Sequence, residues 1–197
     1  MLLPEIAGPS HALYPLILTA LVLGRAADFL STWIATPNLE LEANPIAKRL
    51  GWRLGIALNV VLCLILAAFP LSAIIVTTLS LLVASRNFQF AWLMRTMGEW
   101  GYKAWMSDQV SRAPLALLLF CLFAQTGIYA IIGTALTLLS PAFTLAQAIG
   151  MGFVSYAIAI ALFTLPPIWR MHRSGRNFEP PRTHERQPPT RDFSRTE

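Results

Sequence analysis

Charge is what this sequence lacks most: 13% of its 197 residues are Asp, Glu, Lys or Arg, about half the share of a soluble domain. With 55% hydrophobic residues and a mean hydropathy of +0.56, the chain has too little polar surface for a water-soluble fold and reads as a membrane protein. Strand-type alternation is also missing, which leaves helices as the spanning elements. Catalytic signatures are absent: there is no His-Glu-x-x-His, Gly-x-Ser-x-Gly, Walker loop or Cys-x-x-Cys, so the common zinc, hydrolase, nucleotide and thiol-redox classes have no support.

Histidine and cysteine are equally scarce. His11, His172 and His184 lie outside the apolar runs or at their ends and cannot gather round an ion within a bundle, so no haem or zinc cofactor is expected; the alternative, an oxygen-ligand metal site from Asp28, Glu42 and Asn44, is disfavoured by Arg25 and Arg86 nearby, and no metal is expected. Cys63 and Cys121 fall at different depths of separate runs and read as two small buried hydrophobes, not a disulfide. The opening MLLPEIAGPSH has no Lys or Arg, unlike the basic start of a cleavable signal peptide, so the first apolar run is expected to stay as a helix.

What is present is a series of apolar runs: Leu13 to Ala35, Pro45 to Phe69, Leu71 to about Trp92, Pro114 to Leu139 and Phe143 to about Leu165. Each is near the ~20 residues that cross a bilayer. The expectation is an all-α polytopic membrane protein, a bundle of five transmembrane helices. Pro70 separates the second run from the third, and charge decides that they are two spans. With five spans and the N-terminus outside, Lys48, Arg49, Arg53, Arg86, Arg95, Lys103 and Arg112 fall on the cytoplasmic side together with the basic residues after Leu165. The orientation is N-out/C-in, in the plasma membrane, or the inner membrane if the chain is prokaryotic. Asn44-Pro45 and Ser140-Pro141 read as N-caps followed by first-turn prolines, and Pro166-Pro167 as the stop of the fifth helix.

Two segments stand apart from the 1–169 bundle. Residues 170–197 hold seven arginines and two Pro-Pro pairs, and read as a disordered basic cytoplasmic tail drawn to anionic lipid headgroups. Nucleic acid is not an expected partner, because these arginines satisfy topology and are diluted by Glu179, Glu185 and Asp192. The stretch RNFQFAWLMRTMGEWGYKAWMSDQVSRA carries three of the six tryptophans and reads as an interfacial helix between helices three and four, broken at Gly98 or Gly101, or alternatively as an aromatic lid.

The stretch GRAADFLSTW places Arg25, Asp28, Ser31 and Thr32 inside the first apolar run. Arg25, Asp28 and Thr32 share one helical face, with Ser31 beside it. Counted back from Ala35, Asp28 lies ~9 Å and Arg25 ~13 Å inside the hydrocarbon, where a charge costs about 2.5–3.5 kcal/mol unless it turns inward. Depth supplies partners: Asn59 on the second run, and Arg86 with Asn87 on the third. These residues would line a polar pocket open to the cytoplasm, with Glu40, Glu42 and Asn44 at its mouth. The two arginines make an anion a better guest there than a cation. The alternative is that the charges only clamp helix one to its neighbours while the acidic pair caps helix two.

Asp-x-x-Ser-Thr (Asp28 to Thr32), followed by Glu-x-Asn-Pro (Glu42 to Pro45), resembles a family of small prokaryotic multi-pass membrane proteins of uncharacterised function that share an Asp/Thr-then-Glu-Asn-Pro pattern. The resemblance covers about eighteen residues. It implies that Asp28, Thr32, Glu42, Asn44 and Pro45 form a shared polar centre, and it implies no activity.

Three functional expectations follow. One is binding or transport of a small anionic or zwitterionic solute, or of a lipid headgroup; five helices are few for a complete transporter, so a homo-oligomer or a partner membrane protein would be involved. Another is a membrane-embedded enzyme acting on a lipid-linked phosphate, with Arg25, Arg86 and Arg95 holding charge and Asp28 or Glu42 as base. The last is an accessory subunit of a membrane complex. Ala146/Gly150, Ala148/Gly152 and Ser155/Ala159 give helix five small-residue faces suited to close packing in the bundle, or to a partner helix.

Overall fold

The computed structural model describes residues 2–42 and 45–175. Five helices follow one another: α1 (Leu13–Ala35), α2 (Pro45–Leu66), α3 (Pro70–Arg112), α4 (Leu115–Leu139) and α5 (Leu145–Gly175). All five are long and apolar enough to cross a membrane, and among the described residues there is no β-strand, only an isolated bridge between Leu2 and Thr144. Pro70 is the first residue of α3, where its missing N–H costs nothing, so the second and third apolar runs are separate helices.

The helices are arranged about α3. It packs along α1 on one side and α5 on the other, α4 packs on α5, and α2 touches α1 and α3 only lightly. The three odd-numbered helices form a row, and α2 exposes most of its large apolar side chains, from Leu54 to Ile65, as a lipid-facing helix does. At the end where α1 and α3 begin, the chain's first residues lie across the turns: the Leu3 N–H donates to Phe143 O at 2.6 Å and the Ala7 N–H to Ala68 O at 2.9 Å.

Close approach without a large apolar interface needs small residues. A Cβ built on Gly24 would meet Thr77 of α3 at 3.1 Å, one on Gly152 would meet Thr78 at 2.6 Å, and one on Gly150 would meet Gly133 O of α4 at 2.7 Å. The small-residue faces of α5 are therefore used inside the bundle, by α3 and α4.

Three boundaries differ from the sequence reading. The fifth helix does not stop at Pro166-Pro167 but runs through both to Gly175, so residues 170–175 are helix; the rest of the expected tail, 176–197, lies outside the described residues. Tertiary packing outweighs the lost hydrogen bonds, because Leu165 and Ile168 join the cluster round Leu122, Tyr156 and Ile160, and His172 Nδ1 lies 3.3 Å from Val110 O. Ser140-Pro141 does not open α5 either. Thr144 does, with its hydroxyl accepting the Gln147 N–H at 3.3 Å and the Gln147 side chain accepting the Phe143 N–H at 2.8 Å, a variant of the reciprocal capping box. The aromatic stretch before α4 is a continuation of α3 beyond a bend at Gly98, whose φ of 72° is the left-handed region that glycine alone enters without strain.

That bend makes a crossbar of Glu99–Arg112. Glu99 at its start bonds the loop after α1, and Val110 near its end lies against His172 of α5. Glu99, Tyr102 and Val110 are buried along one face, while Trp100 and Trp105 are exposed.

Packing at the α4–α5 crossing predicts that Gly150→Ala or Gly133→Ala lowers stability by about 1–3 kcal/mol, because backbone atoms cannot yield. Gly127→Ala, where nothing lies within 4 Å, should be neutral or slightly stabilising. Reversible unfolding in detergent would measure both.

Candidate functional site

The geometry of α1 and α3 near Gly24 sets the site. Thr77 turns its hydroxyl back to Ala73 O at 2.8 Å and gives its methyl to Gly24. Because glycine has no Cβ, the two helices meet there, and Ser80, one turn further along α3, comes within reach of α1.

Arg25 is the hub. Its Nη1 donates to Asp28 Oδ2 at 2.8 Å and to Ser80 Oγ at 3.0 Å, and its Nε donates to Asn59 Oδ1 at 2.8 Å. The guanidinium carbon lies 5.5 Å from the centre of the Phe29 ring, within cation–π range. One arginine thus ties together α1, α2 and α3. The Asn59 carboxamide is oriented by its own donation to Gly55 O at 2.8 Å. Arg25 and Asp28 retain 26% and 17% of their side-chain exposure, so the ion pair is enclosed but not sealed. Among the described residues, Arg25 Nη2 makes no hydrogen bond.

One turn toward the C-terminal end of α1, a second set continues the first. Ser31, fully buried, donates to Asp28 O at 2.8 Å, and Asn87 of α3 donates to Ser31 Oγ at 3.3 Å and Thr32 Oγ1 at 3.2 Å. Arg25, Asp28, Ser31, Thr32, Asn59 and Asn87 therefore form one connected polar seam. Glu42 is close enough to act electrostatically on Asp28 and is engaged in interactions of its own. Asn44 lies outside the described residues.

Arg86 does not join the seam. Its two terminal nitrogens each lie 3.4 Å from Thr164 Oγ1 on α5. Successive helical residues point about 100° apart, so with Asn87 facing α1 its neighbour Arg86 is turned away from α1, and it reaches α5 instead. Sequence depth places the two at one level, but direction separates them.

The structure adds two polar residues that the sequence reading did not select. Ser80 is one; nothing in the sequence distinguishes it from the other hydroxyls of α3. The other is Glu99, buried beyond the Gly98 bend. Its carboxylate accepts from Thr36 Oγ1 at 2.9 Å, the Asn38 N–H at 2.8 Å and the Glu40 N–H at 2.9 Å, while Thr36 Oγ1 accepts the Leu41 N–H at 3.2 Å. An acceptor-only group facing donors on every side fits the ionised carboxylate. Glu99 thereby holds the loop at the mouth of the seam. The same loop is fixed to α2 by Trp52 Nε1 donating to Pro37 O at 2.9 Å, and by Lys48, whose Nζ lies 3.4 Å from Glu40 Oε2. Glycine followed by glutamate in an aromatic-rich stretch was the available signal.

Among the described residues no group of three or more metal-ligating side chains converges. Compared with known proteins, the chain matches no family model, no curated protein and no solved structure.

Two measurements test this geometry. Arg25→Gln or Asp28→Asn alone should each cost about 2 kcal/mol, between the values for exposed and fully buried ion pairs, and the double variant should cost clearly less than their sum. Additive losses in unfolding experiments would mean that the two groups do not compensate each other. Glu99→Gln, which turns an amide N–H toward the loop donors, should speed hydrogen exchange at Asn38, Glu40 and Leu41 and leave α4 unaffected.

Proposed function

We propose that this chain is an integral membrane protein that binds or carries a small anionic or zwitterionic solute, or a lipid headgroup, at the Arg25 seam. The observation that carries the reading is an incompletely enclosed guanidinium in the middle of a membrane helix, fixed by Asp28, Asn59 and Ser80 on three helices, with Nη2 unbonded among the described residues. Such preorganisation suits recognition, since the cation is already partly desolvated and oriented before a guest arrives. Asp28 and the nearby Glu42 add negative charge beside it. A zwitterion therefore suits the seam better than a simple anion.

Entry is from the cytoplasm in this reading. Lys48, Arg49 and Arg53 begin α2, and Arg95, Lys103 and Arg112 lie on the last part of α3, at the end of the bundle that holds the Glu99 loop. The positive-inside tendency makes that end cytoplasmic and the orientation N-out/C-in. The membrane would be the plasma membrane, or the inner membrane of a prokaryote. The outward Trp100 and Trp105, and Lys103 Nζ lying 5.0 Å from the centre of the Trp100 ring, suit a crossbar lying in the headgroup layer.

A second reading is an assembly clamp, favoured by the fact that Arg25 and Asp28 already satisfy each other at 2.8 Å. The enzyme reading has less support, since it needs several arginines to converge and Arg86 bonds α5 instead.

The test uses the full chain, purified in phosphatidylcholine nanodiscs. Glycerophosphoethanolamine, which carries both charges of a zwitterionic headgroup, should raise the unfolding temperature of the wild type, and Arg25→Ala should abolish the response while remaining inserted. An equal response in wild type and Arg25→Ala, or none in either, leaves the clamp as the function of the seam.

A further inference from the structure

Arg86 poses a different problem from Arg25. It lies on α3 about 24 Å from the helix start, partly buried, and arginine does not lose its proton in proteins. Arg25 meets its counter-charge in Asp28. Among the described residues no carboxylate comes within ion-pair distance of Arg86. Its bonds to Thr164 Oγ1, both 3.4 Å, are at the long limit for a hydrogen bond, and neutral hydroxyls do not compensate the charge of a partly buried cation.

The surroundings are hydroxyl-rich. Tyr156 of α5 and Tyr102 of the crossbar, both buried, lie within electrostatic range of the guanidinium. The Tyr156 ring is braced edge-on by Tyr129 of α4, with centroids 4.9 Å apart. A planar fork of donors flanked by phenol and alcohol hydroxyls is the donor set that binds a tetrahedral oxyanion. The depth of Arg86 in a helix crossing ~30 Å of hydrocarbon puts this group near one headgroup layer, where phosphate is the abundant anion.

We propose that Arg86, Tyr156, Tyr102 and Thr164 form a second site, on the opposite face of α3 from the Arg25 seam, that holds a phosphate-bearing anion beneath the crossbar. The phosphate is that of a lipid headgroup or free inorganic phosphate. The bound anion supplies the counter-charge that the described protein residues do not, and it joins α3, α5 and the crossbar at one point. The site is independent of the Arg25 seam, and either can fail without the other.

The experiment uses the full chain, once in nanodiscs of phosphatidylcholine with phosphatidylglycerol and once delipidated in detergent. In the first arm, native mass spectrometry should find phosphatidylglycerol retained by the wild type and by Arg112→Gln, a surface change, and retention lowered about tenfold in Arg86→Gln. In the second arm, inorganic phosphate at fixed ionic strength should raise the unfolding temperature of the wild type and not of Arg86→Gln. A response only in the first arm identifies the lipid as the source, and one only in the second identifies the free anion. If Arg86→Gln does not fold, the double variant Tyr156→Phe with Thr164→Val takes its place and should lose the same responses in part. Retention and thermal response unchanged in the variants, or absent in the wild type in both arms, overturn the proposal.

Discussion

The contact on which the rest depends is the 2.8 Å ion pair between Arg25 and Asp28. Two ionised groups within an apolar helix cannot face lipid, and each can be neutralised only by what the protein brings to it. Placing them three residues apart solves half of the problem on α1 alone. The other half, the hydrogen-bonding capacity of the guanidinium that Asp28 does not use, is met from α2 by Asn59 and from α3 by Ser80. This requirement fixes the rotation of α1 and the register of α3 against it, and gives the weakly packed α2 one of its few specific ties to the bundle.

The second organising feature is the division of α3 into faces. Toward α1 it presents Ala73, Thr77, Ser80, Ala84, Asn87 and Ala91, small or polar residues that permit close approach. Toward α5 it presents Thr78, Arg86 and the apolar Leu79, Leu82 and Val83. A helix used on both sides at close range has little freedom to shift, so the arginines on either side are held in separate environments. Among the described residues one has a carboxylate partner and the other hydroxyls alone, and that difference separates the zwitterion reading of the first site from the phosphate reading of the second.

Beyond Gly98 the same helix reaches across the end of the bundle. Glu99 collects donors from the 36–41 loop, and the buried Tyr102 lies within electrostatic range of Arg86. Both polar sites are thus connected mechanically to one crossbar, whose position depends on a single left-handed glycine.

The sequence by itself determined the class: the scarcity of charge and the length of the apolar runs dictate five helices long and apolar enough to cross a membrane, and α1 and α4 begin and end within a residue of their apolar limits. It also made the Arg25 seam legible, because helical spacing and depth are one-dimensional properties that can be counted along a chain. What only the tertiary structure decided is direction. Asn87 and Arg86 are neighbours in sequence and depth, yet they face different helices, and no count along α3 says which neighbour lies on which side. Nor does local propensity reveal that α5 passes through Pro166 and Pro167, or that Glu99 folds back onto the loop after α1. These outcomes are set by packing energies between segments distant in the chain, which outweigh the local preference whenever enough apolar contact or enough hydrogen-bond donors await on the other side.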